Sequence, residues 1–247
     1  MYNIQKENKY TIDVIIPCVP GHVRYLPNVI TSINNNSQHP DNIIIALSES
    51  NYSNELIHYL QKKSKSIPII LNTTSNKAYA AENRNRGAFS SNADILMFID
   101  ADDLMVSNCI EVVMDTINLY NADAVLHKFD RDINYNESIF EKNNTNILDP
   151  ISFAKLIKSG KPKPDGMTHG HITVKRDIYK KLGGQNELLA IGEDTKFMND
   201  LIKNNYKIAF NPRKLTIYNQ HLSTTTFIEK YQKIVPMFRL TNFIIYI

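Results

Sequence analysis

The chain has 247 residues, 43% apolar and 21% charged, with a formal charge of +3. That balance suits a folded domain with a buried core and excludes a disordered or low-complexity chain. Lys and Arg are scattered along the sequence, which argues against a nucleic-acid partner, and the two cysteines, Cys18 and Cys109, offer neither a metal-ligand spacing nor a disulfide framework.

The first ten residues are polar and carry no apolar h-region, which predicts neither a signal peptide nor a transmembrane span, and hence a cytoplasmic protein. Four apolar runs follow: Val14-Ile15-Ile16, Ile43-Ile44-Ile45, Pro68-Ile69-Ile70-Leu71 and Ile95-Leu96-Met97-Phe98-Ile99. Their lack of period-two alternation predicts strands buried on both faces. Residues 24–34, 54–63 and 78–90 lie between them and are long enough for crossover helices joining parallel strands. The expected fold class is therefore α/β, with a mostly parallel central sheet flanked by helices. Such a sheet takes its ligand at the carboxyl ends of the strands.

Beyond residue 103 the pattern predicts a helix near 107–120 and a strand near 122–129, then an exposed polar loop over 130–146. Residues 151–159 read as a helix, 161–164 as a Pro-bearing loop, 172–175 as a strand, and the chain from Arg176 as a helix that Gly183-Gly184 stops. Residues 194–204 suit an amphipathic helix with Phe197, Leu201 and Ile202 on one face. The apolar residues 227–247 are too short and interrupted to span a bilayer. They read as a helix on the core, with a homo-oligomer contact or a membrane-surface contact as the alternatives.

The strongest chemical signal is Met97-Phe98-Ile99-Asp100-Ala101-Asp102-Asp103, an apolar strand ending in three carboxylates. Mutual repulsion disfavours such a cluster unless a cation or hydrogen-bond donors offset it. Mg²⁺ or Mn²⁺ would do so, taking a few carboxylate oxygens and leaving positions for substrate phosphates and water. The structural alternative is that Asp102 or Asp103 caps the following helix.

Four segments in order resemble a family 2 glycosyltransferase with the GT-A fold. They are Asp13-Val14-Ile15-Ile16-Pro17, then Asn83-Arg84-Asn85-Arg86-Gly87, then Asp100-Ala101-Asp102-Asp103, then Gly183-Gly184 with Glu193-Asp194. The resemblance runs from about residue 12 to 225. It implies one catalytic domain over 1–247, with a nucleotide-sugar-binding half at 11–125, a smaller mixed acceptor-binding half at 126–225 and a helical extension at 226–247. It also implies an inverting, metal-dependent transfer from a nucleotide-diphosphate donor, a UDP-sugar foremost, to a hydroxyl of a glycan or other acceptor.

By that resemblance Asp100 contacts the ribose, Asp102 bridges the diphosphate through the metal, and Asp103 does either or caps. Arg84 faces the nucleotide, where a guanidinium suits uracil oxygen or phosphate. Pro17, Cys18, Val19, Lys77 and Ala101 complete the donor side, with His169 and His171 bordering the sugar. Asp194 is the general base, Glu193 orients hydroxyls, and His221 is a further metal ligand. The spacing of His169 and His171 also suits a metal pair, but no third ligand neighbours them in sequence. Two places depart from the family: where its second strand ends in two aspartates, this chain has Ser48-Glu49, either of which can accept the uracil N–H, and after Pro17 the run Cys18-Val19-Pro20-Gly21-His22 replaces its threonine-tyrosine-asparagine. Two other classes remain open, a sugar-phosphate nucleotidyltransferase and a non-catalytic nucleotide-sugar-binding module.

Overall fold

The computed structural model of the chain describes residues 10–50, 54–131, 146–148, 171–189 and 192–219. β1 (Ile12–Cys18), β2 (Asn42–Leu47) and β4 (Ile95–Phe98) are buried along almost their whole length, as their unbroken apolar runs require. β3 (Ile69–Thr73) departs from that expectation: it is the sheet edge, paired only with β2, and Ile70 is 42% exposed. The cause is the helix layer. α3 (Ala80–Ser90) lies mainly over β1 and β2, leaving the outer strand half covered.

The remaining strands are β5 (Leu104–Met105), β6 (Ala124–Asp130), β7 (Asn146–Leu148), β8 (Thr173–Lys175) and β9 (Ile208–Ile217). The sheet order is β3-β2-β1-β4-β8-β6-β9-β5, with β7 beside β9. The first four strands are parallel, β8 enters antiparallel between β4 and β6, and β6 pairs parallel with β9. The parallel run and the mixed remainder are thus one continuous sheet, which sets residues of both parts side by side at the end of β4.

Alternation along β1 sorts the core into two layers. Val14 and Ile16 point to the layer with Leu26, Ile30 and Ile33 of α1 (Leu26–Asn34) and Ile110, Val113 and Ile117 of α4 (Cys109–Tyr120). Ile15 points to the other, with Ala88 of α3, Tyr179 of α5 (Arg176–Lys181) and Phe197 and Leu201 of α6 (Glu193–Lys203). α2 (Asn54–Ser64) contributes Leu60 to the first layer. The expected helix at 24–34 begins as a 3₁₀ turn over Pro20–Tyr25 and becomes α-helical at Leu26, with Pro27 in the first turn, where its missing N–H leaves no bond unmade. The helices expected at 151–159 and in the C-terminal 227–247 lie outside the described residues, as does most of the 130–146 loop.

Two glycine positions set distances that matter for the site. A Cβ on Gly87 would stand 2.6 Å from Ile15 Cγ2, so its absence lets α3 press onto β1. Gly183 and Gly184 both have φ of +77° and turn the chain back after α5; a Cβ on Gly184 would meet Asn85 Oδ1 at 2.4 Å. Among the described residues no helix is long and apolar enough to cross a membrane.

Candidate active site

The close seat of α3 carries the polar residues of its first two turns to the carboxyl ends of β1 and β4. Arg84 is 4% exposed. Its guanidinium donates to Asp100 at 2.7 Å, to Glu193 at 2.9 Å and to Gln185 Oε1 at 3.3 Å. Burial opposes its charge, but the carboxylates of Asp100 and Glu193, with Asp194 beyond, outweigh that and hold the guanidinium protonated. Asp100 has the complementary environment: enclosure disfavours its charge, and Arg84 first, then His171, pull its carboxyl below the usual range. Arg84 therefore stands behind Asp100 as an internal counter-charge that joins the end of β4 to the start of α6.

Asn85 makes the same junction with neutral groups. Its Nδ2 donates to the Gln185 carbonyl and to Glu187, both at 2.8 Å, and its Oδ1 accepts from Tyr179 Oη at 2.6 Å and from the Gln185 amide at 2.8 Å. All four capacities of a buried amide are thus filled, which fixes the loop after Gly184. Arg86 ties the other side of α3 to the sheet, donating to Asn83 Oδ1 and to the Asn72 and Leu47 carbonyls. Gln185 and Glu187 belong to no motif and were missed in the sequence, where only their position after the glycine pair could have drawn attention.

The three carboxylates after β4 diverge. Asp100 keeps 33% of its side chain exposed. Asp102 is partly buried, 3.9 Å from His22 Nδ1, and burial together with the charges of Asp103 and Asp100 raises its pKa. Asp103 turns inward and is 1% exposed, with Oδ1 accepting from the Asn219 amide at 2.8 Å. Its Oδ2 lies 2.7 Å from His171 Nε2, and Asp100 Oδ2 lies 3.9 Å from the same nitrogen. Ligand atoms of Asp100, Asp103 and His171 all fall within 4.8 Å of one another. Asp102 is not in that group, and His169 and His221 lie outside the described residues.

His171 is 1% exposed, with Nδ1 3.0 Å from Thr216 Oγ1 and its ring 6.2 Å from that of His127. Burial works against a proton on His171, but Asp103 and then Asp100 raise its pKa on balance. His127 has no such carboxylate. Its Nδ1 lies 2.9 Å from the Lys128 carbonyl, and burial pushes its pKa down to about 4.

At the ends of β1 and β2 buried groups give way to exposed ones. Pro17 is paired with Ala46 in the sheet, and Cys18 is buried, its thiol pushed up to about 12 by burial and then by Asp102. Val19 leads into the 3₁₀ turn. Ser48 is fully buried, donating to the Ala78 carbonyl and accepting from Asn83 Nδ2. Glu49 is exposed, held at φ of +51°. Lys77 is exposed, with Nζ 5.7 Å from the centre of the exposed Tyr79 ring. Ala101 is buried, and Asp194, one residue into α6, accepts from the Thr195 amide at 2.6 Å.

An α/β sheet of this curled form, with carboxylates where the parallel run meets the mixed part, is the GT-A architecture. The sequence profile described as "Glycosyl transferase family 2" matches residues 13–183, and the chain belongs to that family. A Haemophilus influenzae protein described as an uncharacterized glycosyltransferase is 28% identical over 167 residues, covering 67% of this chain and 53% of that one. The chain thus spans about half the length of that relative. S. aureus TarS 1-349 in complex with UDP superposes with a TM-score of 0.67 at 13% identity, covering 91% of this chain and 64% of that chain. The same protein with UDP-GlcNAc gives 0.67 at 14% identity, covering 85% and 59%. At these identities the likeness is one of fold.

Proposed function

We propose that the chain is an inverting glycosyltransferase that moves a sugar from a nucleotide-diphosphate donor, a UDP-sugar in the first instance, to a hydroxyl of a glycan or similar acceptor. One observation carries the reading: Arg84 joins the acidic end of β4 to Glu193 within hydrogen-bonding distance, so the donor-side acids and Asp194 flank one place. Family membership and the UDP-bound structures of the same fold support it. The division into a donor half at 11–125 and an acceptor half at 126–225 follows from this assignment.

In this account the nucleotide lies across the carboxyl ends of β1 and β2. Of the two base-reading candidates Glu49 is preferred, because the Ser48 hydroxyl is already engaged with Ala78 and Asn83. Lys77 and Tyr79 supply charge and a ring face beside the base. Asp100 takes the ribose hydroxyls, with Arg84 fixing its carboxylate from behind. Asp102, with Asp103 and His221, is the metal set that the motif implies. A divalent cation bound at this edge would neutralise the departing diphosphate. The residues fit such an ion, because ligand atoms of Asp100, Asp103 and His171 converge within 4.8 Å of one another at this edge.

Asp194 accepts the proton of the acceptor hydroxyl while that oxygen bonds to the anomeric carbon. The bond from that carbon to the diphosphate oxygen breaks on the opposite face, releasing the nucleoside diphosphate and inverting the configuration. Glu193, held by Arg84, orients the hydroxyls. The test is incubation of the chain with a panel of nucleotide sugars, Mn²⁺ and glycan acceptors. Release of nucleoside diphosphate with an inverted linkage is expected. Pyrophosphate release would indicate a nucleotidyltransferase, and binding without turnover a non-catalytic module.

A further inference from the structure

The exposed side chains of Glu49, Lys77 and Tyr79 stand on two loops, one after β2 and one after β3, and surface loops are ordinarily the mobile part of a fold. Here the backbone binds the two loops to each other. The Thr74 amide donates to the Leu47 carbonyl, the Glu49 amide to the Asn76 carbonyl and the Ser50 amide to the Thr74 carbonyl, each at 3.0 Å. Glu49 sits at φ of +51°, a left-handed conformation that costs a non-glycine residue free energy and persists only where its surroundings impose it. The two loops therefore behave as one unit, and that unit needs a fastening to the sheet.

The fastening comes from α3. Arg86 Nη2 donates to the Asn72 carbonyl at 2.6 Å, to Asn72 Oδ1 at 3.1 Å and to the Leu47 carbonyl at 3.3 Å, so one nitrogen bridges the carboxyl ends of β2 and β3. Asn72 Nδ2 returns a bond to the Arg86 carbonyl at 3.2 Å. Arg86 Nη1 donates to Asn83 Oδ1 at 2.9 Å, and Asn83, 1% exposed, passes the hold on. Its Nδ2 donates to Ser48 Oγ and to the Cys18 carbonyl, both at 3.2 Å, which adds the end of β1. These acceptors of Arg86 are all neutral oxygens. Spanning two strand ends and a side-chain amide at once calls for a planar fork with fixed donor directions, which a guanidinium has and an ammonium lacks.

We infer that Arg86 is a positioning residue for recognition of the donor base, holding the Glu49 turn and the loop that bears Lys77 and Tyr79 in one geometry through Leu47, Asn72 and Asn83. The inference deepens the donor reading and rests on it for the purpose of the hold, whereas the hold itself belongs to the ligand-free chain. None of the Arg86 hydrogen bonds reaches the acids after β4 or Asp194, so its influence falls on donor binding and not on the transfer step.

Two measurements on Arg86→Met in the full chain test this. The first is amide hydrogen exchange without ligand. The Glu49 and Ser50 amides should lose about tenfold in protection, while Ala209 in β9 stays within about twofold of wild type. Equal loss at all three positions, or no change at Glu49, overturns the inference. The second is donor kinetics with a UDP-sugar and Mn²⁺, together with competition between UDP and GDP. Donor KM should rise about tenfold with kcat within about twofold, and discrimination between the two bases should shrink. Adding Arg86→Met to Glu49→Gln should change that discrimination by less than about twofold, because both act through one turn. Additive losses, or a fall in kcat at unchanged KM, overturn the inference. Should Arg86→Met fail to fold, Asn72→Ala at the partly exposed sheet edge removes two of the bonds and should cost the same two amides about threefold in protection; unchanged protection overturns the inference. A wild type that binds no nucleoside diphosphate, with the local exchange loss present, sinks the donor reading and leaves the hold. UDP binding with exchange unchanged in the variants sinks this inference alone.

Discussion

The seam at Arg84 and the mouth formed by Glu49, Lys77 and Tyr79 border the same strand ends, yet they are built on opposite terms. In the seam every charge has a counter-charge inside the protein: Arg84 lies between Asp100 and Glu193, and Asn85 fills all its hydrogen bonds with the loop after Gly184. In the mouth Glu49, Lys77 and Tyr79 stand exposed. Motif residues Arg84, Asn85 and Glu193 are committed to the interior, while Glu49, where the chain departs from the family, faces outward. The difference teaches that the motif residues hold the geometry of the strand ends, and under the proposed function it makes the mouth the place where donor choice would be set.

The largest expected effect tests whether the seam serves chemistry at all. Asp194→Asn keeps the helix start but removes the proton acceptor, so transfer should fall about 10²- to 10⁴-fold while donor affinity stays within twofold. Steady-state rates with parallel nucleotide titration measure both, and normal turnover would remove Asp194 from its role. Next comes the seam's structural share. Arg84→Met leaves Asp100 and Glu193 without their counter-charge and should destabilise the chain by about 3 kcal/mol in urea unfolding, the low end for breaking a buried pair, since Asp100 retains a third of its exposure. An unchanged midpoint would mean that Arg84 contributes no stabilising counter-charge to the seam.

A pH experiment sharpens the same contrast within the buried side. The folded-state pKa of His127 is pushed down to about 4, below its unfolded value of about 6.5. The unfolded chain therefore binds the extra proton first, and the stability tied to neutral His127 is lost as pH falls from about 6.5 to about 4. His171 acts with the opposite sign, its raised pKa giving stability that is lost as pH rises. The difference between wild type and His127→Phe isolates the first term: the variant should lose less stability on acidification, by on the order of 3 kcal/mol over that window. Parallel curves would contradict the assignment. The smallest stability effect belongs to the mouth, where Glu49→Gln should stay within about 0.5 kcal/mol of wild type yet shift preference among donor bases in a competition assay. A base preference that does not move would place recognition elsewhere.

Much of this was legible in the sequence. The parallel run could be read from four apolar stretches because strands covered on both faces leave no polar side to record, and the acidic strand end stood out because three carboxylates in four positions repel. Arg84 and Asn85 were recognised as motif residues, but Arg84 was expected to face the nucleotide and its bonds to Asp100, Glu193 and Gln185 were not foreseen. Sequence order does not reveal that Gly87 lets α3 sink onto β1 and turns Arg84 toward Glu193, 109 residues away. The exposed Ile70 escaped for a related reason: an edge strand with an apolar side chain reads like a buried one. His171 was placed beside the donor sugar, and its carboxylate partners became visible only through strand pairing.

The central claim is that the strand ends bind a nucleotide diphosphate with a metal's help. Calorimetric titration of the wild-type chain with UDP, with Mn²⁺ present and then chelated, tests it most directly. The account predicts one site with affinity at least about tenfold tighter in the presence of metal, equivalent to about 1.4 kcal/mol. Absence of UDP binding with Mn²⁺ present, while other nucleoside diphosphates also fail to bind, would contradict it.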